Sequence, residues 1–292
     1  MTPTSAAADG LSRYISDWQP EAVDCTDVVT APRAQALADT LDLADKPAAQ
    51  DPLPPLWHWV YFPDWPATAE LGPDGHPAAG HFLPPIPNRR RMFAGGRVTM
   101  TAPLVVGEPA NRHSAIADTR VKHGRTGEML FVTIRHSYRQ NGEVRLVEEQ
   151  DLVYRSDEGA TTSFTRIVEP LAEPSTPWTA QPHTHPVLLF RFSALTGNAH
   201  RIHYDEPYAV NGEGYPGLVV HGPLLALYMA ELVRANSGGR AVAGFEFRLQ
   251  RPVFVGDEIR VQGAPSNGDG PVELTVVSGR GTTHASANAT YA

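Results

Sequence analysis

Fourteen residues, Phe192-Ser-Ala-Leu-Thr-Gly-Asn-Ala-His-Arg-Ile-His-Tyr-Asp205, bring together a small-residue turn (Thr196, Gly197), an amide (Asn198), two imidazoles (His200, His203) and a carboxylate (Asp205). After a short polar loop, Tyr215-Pro-Gly-Leu-Val-Val-His-Gly-Pro223 leads into an apolar run. An imidazole, with a reference pKa of about 6.5, takes and returns a proton near neutrality. An asparagine amide donates and accepts hydrogen bonds but holds no proton, so Asn198 can position a water without activating it. The start of a helix offers unpaired N–H groups and a positive dipole end to a developing oxyanion. Pro223 has no N–H, which leaves the N–H of Gly222 as donor, with Leu224 as a second. The set suits proton transfer beside an oxyanion.

Each residue also has a plainer role. His203 can be a satisfied structural histidine, and asparagine at position 198 favours turns and caps as much as catalysis. His200 is expected to face solvent, and His221 to support its loop through a hydrogen bond. Asp205 can pair with His203 or, at the surface, with Arg201. His183-Thr-His185 would set two rings on one face of a strand, but no third ligand is near and no metal site is expected. In Arg89-Arg90-Arg91 the guanidinium forks of Arg90 and Arg91 suit a phosphate or a carboxylate, whereas a solvated basic rim is the commoner use of such a run.

The elements that must position these groups come from a chain of 292 residues, enough for one large or two ordinary domains. A formal charge of −8 argues against a general nucleic-acid binder. One cysteine, Cys25, excludes an internal disulfide and suits a reducing compartment. No apolar run approaches the roughly 20 residues that span a bilayer, and Thr2 to Gly10 lacks the basic and apolar parts of a signal peptide. A soluble, cytoplasmic protein with a mobile start is expected.

Thr30 as N-cap, Pro32 in the first turn and Leu37 and Leu41 at helical spacing predict an amphipathic helix. Residues 51–87 are rich in proline, glycine and aromatics, the composition of an ordered loop that either covers a pocket or seals the edge of a core. Strands are predicted over 97–106, 130–139 and 144–154, the last two joined at Asn141-Gly142, a strong hairpin signal. The prolines of 169–186 mark a junction. A helix over 223–236, apolar nearly all round, is expected to be buried. Alternation in Phe245-Glu-Phe-Arg-Leu and strands over 272–278 and 283–291 complete the chain. Pro103-Leu-Val-Val-Gly-Glu108 recurs as Pro252-Val-Phe-Val-Gly-Asp257 at an offset of 149, each time after an alternating strand. That repeat suggests duplication, with units at 1–165 and 166–292. The fold class is α+β, a helix wrapped by an antiparallel sheet in each unit.

A buried helix preceded by His-Gly and by Thr196-Gly-Asn-Ala-His-Arg-Ile-His203 resembles the double hot-dog fold of the MaoC-like, hydratase-2 family. Pro54-Pro-Leu-Trp-His-Trp, Phe82-Leu-Pro-Pro-Ile-Pro, Arg90-Arg-Met-Phe-Ala-Gly-Gly and Glu148-Glu-Gln-Asp-Leu-Val-Tyr-Arg155 resemble its mesaconyl-CoA (3-methylfumaryl-CoA) hydratase branch, over about residues 10 to 290. The resemblance implies two antiparallel sheets, each around a central helix, and reversible hydration of an enoyl thioester. His203 falls on the family's catalytic histidine, and Asn198 stands where most members carry aspartate. Gly197 replaces a bulky aromatic of the branch, freeing the turn backbone. Gly222 is the oxyanion donor; Gly197, His200, Tyr215, His221, Arg90 and Arg91 form the implied substrate-binding set. No metal or redox cofactor is expected, only the coenzyme A or phosphopantetheine carried by the substrate. Arg-Met-Phe-Ala-Gly-Gly stands at the matching place in the first half, so one site per chain is expected, the first unit being non-catalytic. A homodimer and an acyl carrier protein partner remain open. Alternatives are a dehydratase for carrier-bound 3-hydroxyacyl chains and a non-catalytic acyl-thioester-binding module. A thioesterase is disfavoured for want of a carboxylate on the central helix.

Overall fold

The computed structural model describes residues 10–80, 82–87, 89–124, 127–156, 164–265 and 270–292. The start expected to be mobile lies almost wholly outside them. Ten strands are laid down by alternating apolar and polar positions among the described residues. The first half supplies β1 (Val23–Val28), β2 (Arg89–Met100), β3 (Pro109–Gly124), β4 (Gly127–Gln140) and β5 (Glu143–Ser156). The second supplies β6 (Trp178–Ala180), β7 (Val242–Leu249), β8 (Arg260–Gly263), β9 (Val272–Ser278) and β10 (Thr282–Tyr291). Asn141 and Gly142 take positive φ, 53° and 83°, and close the β4–β5 hairpin as the sequence predicts.

The sheets of the two halves join edge to edge in the order β1-β3-β4-β5-β2-β7-β10-β9-β8-β6. The seam is the antiparallel pairing of β2 with β7, from Gly95 opposite Arg248 to Thr99 opposite Gly244. A Cβ on Gly95 would stand 2.3 Å from the Phe247 carbonyl oxygen, so the glycines of Arg-Met-Phe-Ala-Gly-Gly serve close approach of the two backbones. Strand β2 therefore starts earlier than its alternation predicts, at Arg89.

Among the described residues five helices accompany this sheet: α1 (Ser12–Ile15), α2 (Ala31–Thr40), α3 (Pro186–Thr196), α4 (Glu206–Asn211) and α5 (Gly222–Asn236). Helix α5 buries Leu224, Leu225, Leu227, Met229, Leu232 and Val233, and it packs on β7, β8, β9 and β10. Each such leucine stabilises the fold by roughly 1.5–3 kcal/mol. A Cβ at Gly222 would meet Leu249 Cδ1 at 2.2 Å, so any larger residue at the helix start would push this side chain of β7 aside.

The repeated motif has a structural counterpart. Pro52 bridges Val105 and Val219 bridges Phe254, with Val105 and Phe254 holding equivalent places in the two copies. Past Val219 the chain enters α5; past Pro52 it makes only a 3₁₀ turn, Trp57–Val60. The central helix is thus long in the second half and reduced to an aromatic turn in the first. Trp57 fills the space, fully buried, and its Nε1–H donates to Glu231 Oε1 of α5 at 2.7 Å. No helix among the described residues is long and apolar enough to cross a membrane.

Candidate active site

Helix α3 was not legible in the sequence. His185 caps it, with Nδ1 accepting from the Leu188 N–H at 3.3 Å and Pro186 in the first turn, so the His183-Thr-His185 segment is a helix entry and not a strand face. At the other end Gly197 takes the left-handed conformation, φ 65° and ψ 20°, and its N–H returns to the Ser193 carbonyl. Gly197 lies against Pro63 and Trp65, and its role here is to end the helix.

The next residues form the turn that carries the chemistry. Asn198 Oδ1 accepts from the His200 N–H at 3.0 Å, so half of its amide shapes the turn. Its Nδ2 makes no hydrogen bond among the described residues. Arg201 pairs with Asp205 at 2.7 Å, the surface pairing, while Asp205 Oδ1 caps α4 by accepting from the Tyr208 N–H. Asp205 therefore does not act on His203.

His203 is 7% exposed, and its Nδ1–H donates to the Val219 carbonyl at 2.7 Å. That bond fixes the tautomer and leaves a lone pair on Nε2. Burial, reinforced by the neighbouring His200, lowers the His203 pKa to about 3, so the ring rests neutral. His221 stacks on it with centroids 3.7 Å apart and planes 18° from parallel. His221 is fully buried and exchanges a 2.8 Å hydrogen bond with Ser193 Oγ; its Nδ1 has no partner. Burial holds it well below the usual histidine range.

His200 stands edge-on to His203 at 5.5 Å and 88°. It is buried, against the expectation that it faces solvent, because Glu213 accepts from its Nε2 at 3.1 Å and a second ring, His76, covers it at 4.1 Å. His76 and its partner Asp74 are the residues the sequence reading missed. They sit in the loop over 51–87, which covers the site. Gly75 between them, at φ 89°, would place a Cβ 1.9 Å from the Ala199 carbonyl oxygen, and the Arg201 N–H donates to the Asp74 carbonyl at 2.8 Å. Asp74 Oδ2 accepts from His76 Nδ1 at 3.0 Å. Burial drives the His76 pKa down to about 4, against the opposing pull of Asp74. For Asp74 burial is the largest influence and opposes ionisation, but the bonds from His76 prevail and hold it at about 2.

At the start of α5 the Gly222 N–H has no acceptor among the described residues, whereas the Leu224 N–H already returns to the His221 carbonyl at 3.1 Å. Gly222 is therefore the free donor, and Leu224 is not. Arg90 reaches the Glu213 carbonyl from Nη2 at 3.3 Å, which puts it beside the ring row; Arg91 is exposed, with its charge felt at His76. Tyr215 instead packs in an apolar cluster, stacked on Phe164 at 5.2 Å and near Phe254. Asp74, His76 and His200 present ligand atoms within 4.8 Å of one another, so they are the described residues able to hold a metal. The positive charge of Arg91 and the bonding of Asp74 to His76 and of Glu213 to His200 weigh against a cation there.

A buried neutral imidazole, a free amide and a free helix-start N–H on a hot-dog framework form a site for proton transfer beside an oxyanion. The family model for hydroxyacyl-thioester dehydratase type 2 matches residues 56–255. The chain belongs to this family. It is 46% identical over 239 residues to mesaconyl-C(4)-CoA hydratase of Chloroflexus aurantiacus, covering 81% of this chain and 84% of that one. It is 29% identical over 233 residues to the mitochondrial hydroxyacyl-thioester dehydratase type 2 of Schizosaccharomyces pombe, covering 72% and 77%. The fold matches a MaoC-like dehydratase from Phytophthora capsici at a TM-score of 0.68 and 12% identity, over 97% of this chain and 98% of that one. HtdX of Mycobacterium tuberculosis matches at 0.61 and 16%, over 93% and 100%. As a member of the type 2 dehydratases this chain is a hydro-lyase of acyl thioesters.

Proposed function

We propose that the enzyme reversibly hydrates a short enoyl-CoA that bears a second carboxylate, of the mesaconyl-CoA class, with His203 as its acid and base. The observation that carries this reading is the 2.7 Å bond from His203 Nδ1–H to the Val219 carbonyl, which presents a neutral imidazole with its Nε2 lone pair free. Nε2 takes a proton from water as the water oxygen bonds to the β-carbon. The π electrons move toward the thioester oxygen, which the Gly222 N–H and the α5 dipole stabilise. The imidazolium then returns its proton to the α-carbon, and the thioester carbonyl re-forms. Asn198 Nδ2 positions the water.

The identity to the Chloroflexus hydratase supports the substrate class. The substrate brings its own coenzyme A, and no other cofactor enters the steps above. One such site forms per chain, with residues 1–165 acting as the non-catalytic unit and 166–292 as the catalytic one in a cytoplasmic enzyme. The loop with Asp74 and His76 means that the first unit nonetheless contributes side chains to the site. A second reading, dehydration of 3-hydroxyacyl chains on a carrier protein, draws on the mitochondrial yeast relative.

Purified enzyme mixed with the C4 thioester of mesaconate, crotonyl-CoA and the corresponding carrier-bound enoyl chain should consume enoyl-thioester absorbance, fastest with the first. Faster turnover of the carrier-bound chain would favour the second reading. No reversible hydration of any enoyl thioester would overturn both.

A further inference from the structure

We propose that His76, held by Asp74, and His200, held by Glu213, form the receptor for the free carboxylate of a dicarboxylyl thioester. This deepens the hydratase reading above and rests on it. The rings of His76, His200 and His203 form a row, with centroids 4.1 and 5.5 Å apart, leading outward from the group that handles the water proton. Mesaconate joined to coenzyme A through C4 keeps its carboxylate on the β-carbon, the carbon that receives water. That carboxylate therefore lies next to His203, where the row begins.

The chemistry of the row fits an anion. Asp74 engages His76 Nδ1, which turns Nε2 away from it. An arriving carboxylate draws a proton from solvent onto this otherwise neutral ring, which then donates at Nδ1 to Asp74 and at Nε2 to the carboxylate, a charge-assisted arrangement that makes binding take up a proton. His200 is gripped in the same way at Nε2 by Glu213. Arg90 lies on the Glu213 carbonyl and the charge of Arg91 bears on His76, so the two guanidinium groups offset the carboxylates of Asp74 and Glu213 that hold the rings. The loop that brings Asp74 and His76 is built for its place: Gly75 fits only without a side chain, and the Arg201 N–H and Nη1 tie it down through the carbonyls of Asp74 and Pro73.

The receptor also gives a reason for Asn198. An aspartate at that position would set a negative charge beside the incoming carboxylate; the amide orients water without that repulsion. The departure from the family pattern then marks the substrate and not a lost activity.

The test compares the C4 thioester of mesaconate with its C1 methyl ester, which keeps the shape and removes the charge. A charge-assisted hydrogen bond corresponds to about a 10- to 100-fold change in equilibrium constant. His76→Gln should reduce kcat/KM for the acid by about that factor, chiefly through KM, and leave the ester within about threefold. Asp74→Asn should lower kcat/KM for the acid in the same sense by less and again leave the ester nearly unchanged. Asn198→Asp should penalise the acid more than the ester. Equal losses of His76→Gln on acid and ester, or a gain of Asn198→Asp confined to the acid, would overturn the receptor. Calorimetric binding decides the matter without turnover: His76→Gln should weaken methylsuccinyl-CoA and spare isovaleryl-CoA, and equal effects on the two would sink the proposal. Binding of methylsuccinyl-CoA that requires added zinc and disappears with a chelator would overturn it in favour of a metal site. If the wild-type enzyme hydrates neither substrate yet binds with this selectivity, the hydratase reading fails and the receptor stands.

Discussion

Each half of the molecule closes over a buried cluster of ionisable groups, and the two clusters are finished in opposite ways. In the first half Glu148, 1% exposed, accepts from His58 Nε2 at 3.0 Å, Trp59 Nε1 at 2.7 Å, Tyr138 OH at 3.1 Å and Gln150 Nε2 at 2.8 Å. Burial alone would raise its pKa, but the charge and hydrogen bond of His58 prevail and lower it to about 2. In the second half His221 Nδ1 is buried without a partner, and among the described residues the Gly222 N–H and Asn198 Nδ2 are also unspent. A satisfied network specifies structure, and its filled lone pairs leave nothing for a substrate. Groups left unpaired mark where a reaction's charge can go. The duplicated framework has become a keystone on one side and a catalyst on the other.

The comparison breaks most sharply at His203. His203→Ala should lower kcat by about 10²–10⁴-fold while the protein stays folded, read by steady-state kinetics beside a thermal melt. Full activity in that variant would remove the proposed base. Glu148→Ala should act the other way, destabilising by about 3–5 kcal/mol because it strands His58 and the indole, hydroxyl and amide donors. Urea denaturation measures this, and activity per folded molecule should be retained. A collapse of kcat at full stability would make the Glu148 cluster part of the chemistry.

The same contrast explains what the sequence disclosed. Local pattern was enough for α5, whose apolar residues run round the whole helix, for the Asn141-Gly142 hairpin, and for the repeat that aligns Val105 with Phe254. Helix α3 escaped because it starts at the end of a proline-rich stretch and its cap is a histidine, His185, instead of the serine, threonine or aspartate that usually announces one. The burial of His200 escaped for a different reason: both groups that cover it, Glu213 and His76, come from other segments, and the His76 contact spans more than a hundred residues. The nearest signal was the composition of the loop over 51–87, which showed that something is covered but not which side chains do the covering. Tyr215, one of the implied substrate-binding residues, stacks on Phe164, a partner far along the chain that its own neighbours do not announce.

The smallest expected effect is a pH dependence that the two clusters should divide between them. Burial lowers the pKa of His203 to about 3 and of His76 and His136 to about 4, against 6.5 for an exposed ring. The unfolded chain then binds more protons than the folded one below about pH 6.5, so stability should fall as pH drops from there toward 4 and 3. The lowered carboxyls, Glu148 and Asp74 at about 2, contribute stability that is lost only at lower pH, as it falls from the ordinary carboxyl range through 2. Urea midpoints between pH 7 and 4 should therefore decline through the histidines first. Over the same interval kcat/KM for the methyl ester, which does not call on His76, should hold once corrected for the folded fraction, because the base stays neutral. An acid limb centred near 6.5 would mean that His203 is wet in the working enzyme, and it would shift the weight of the mechanism from a preorganised neutral base to one exposed on opening.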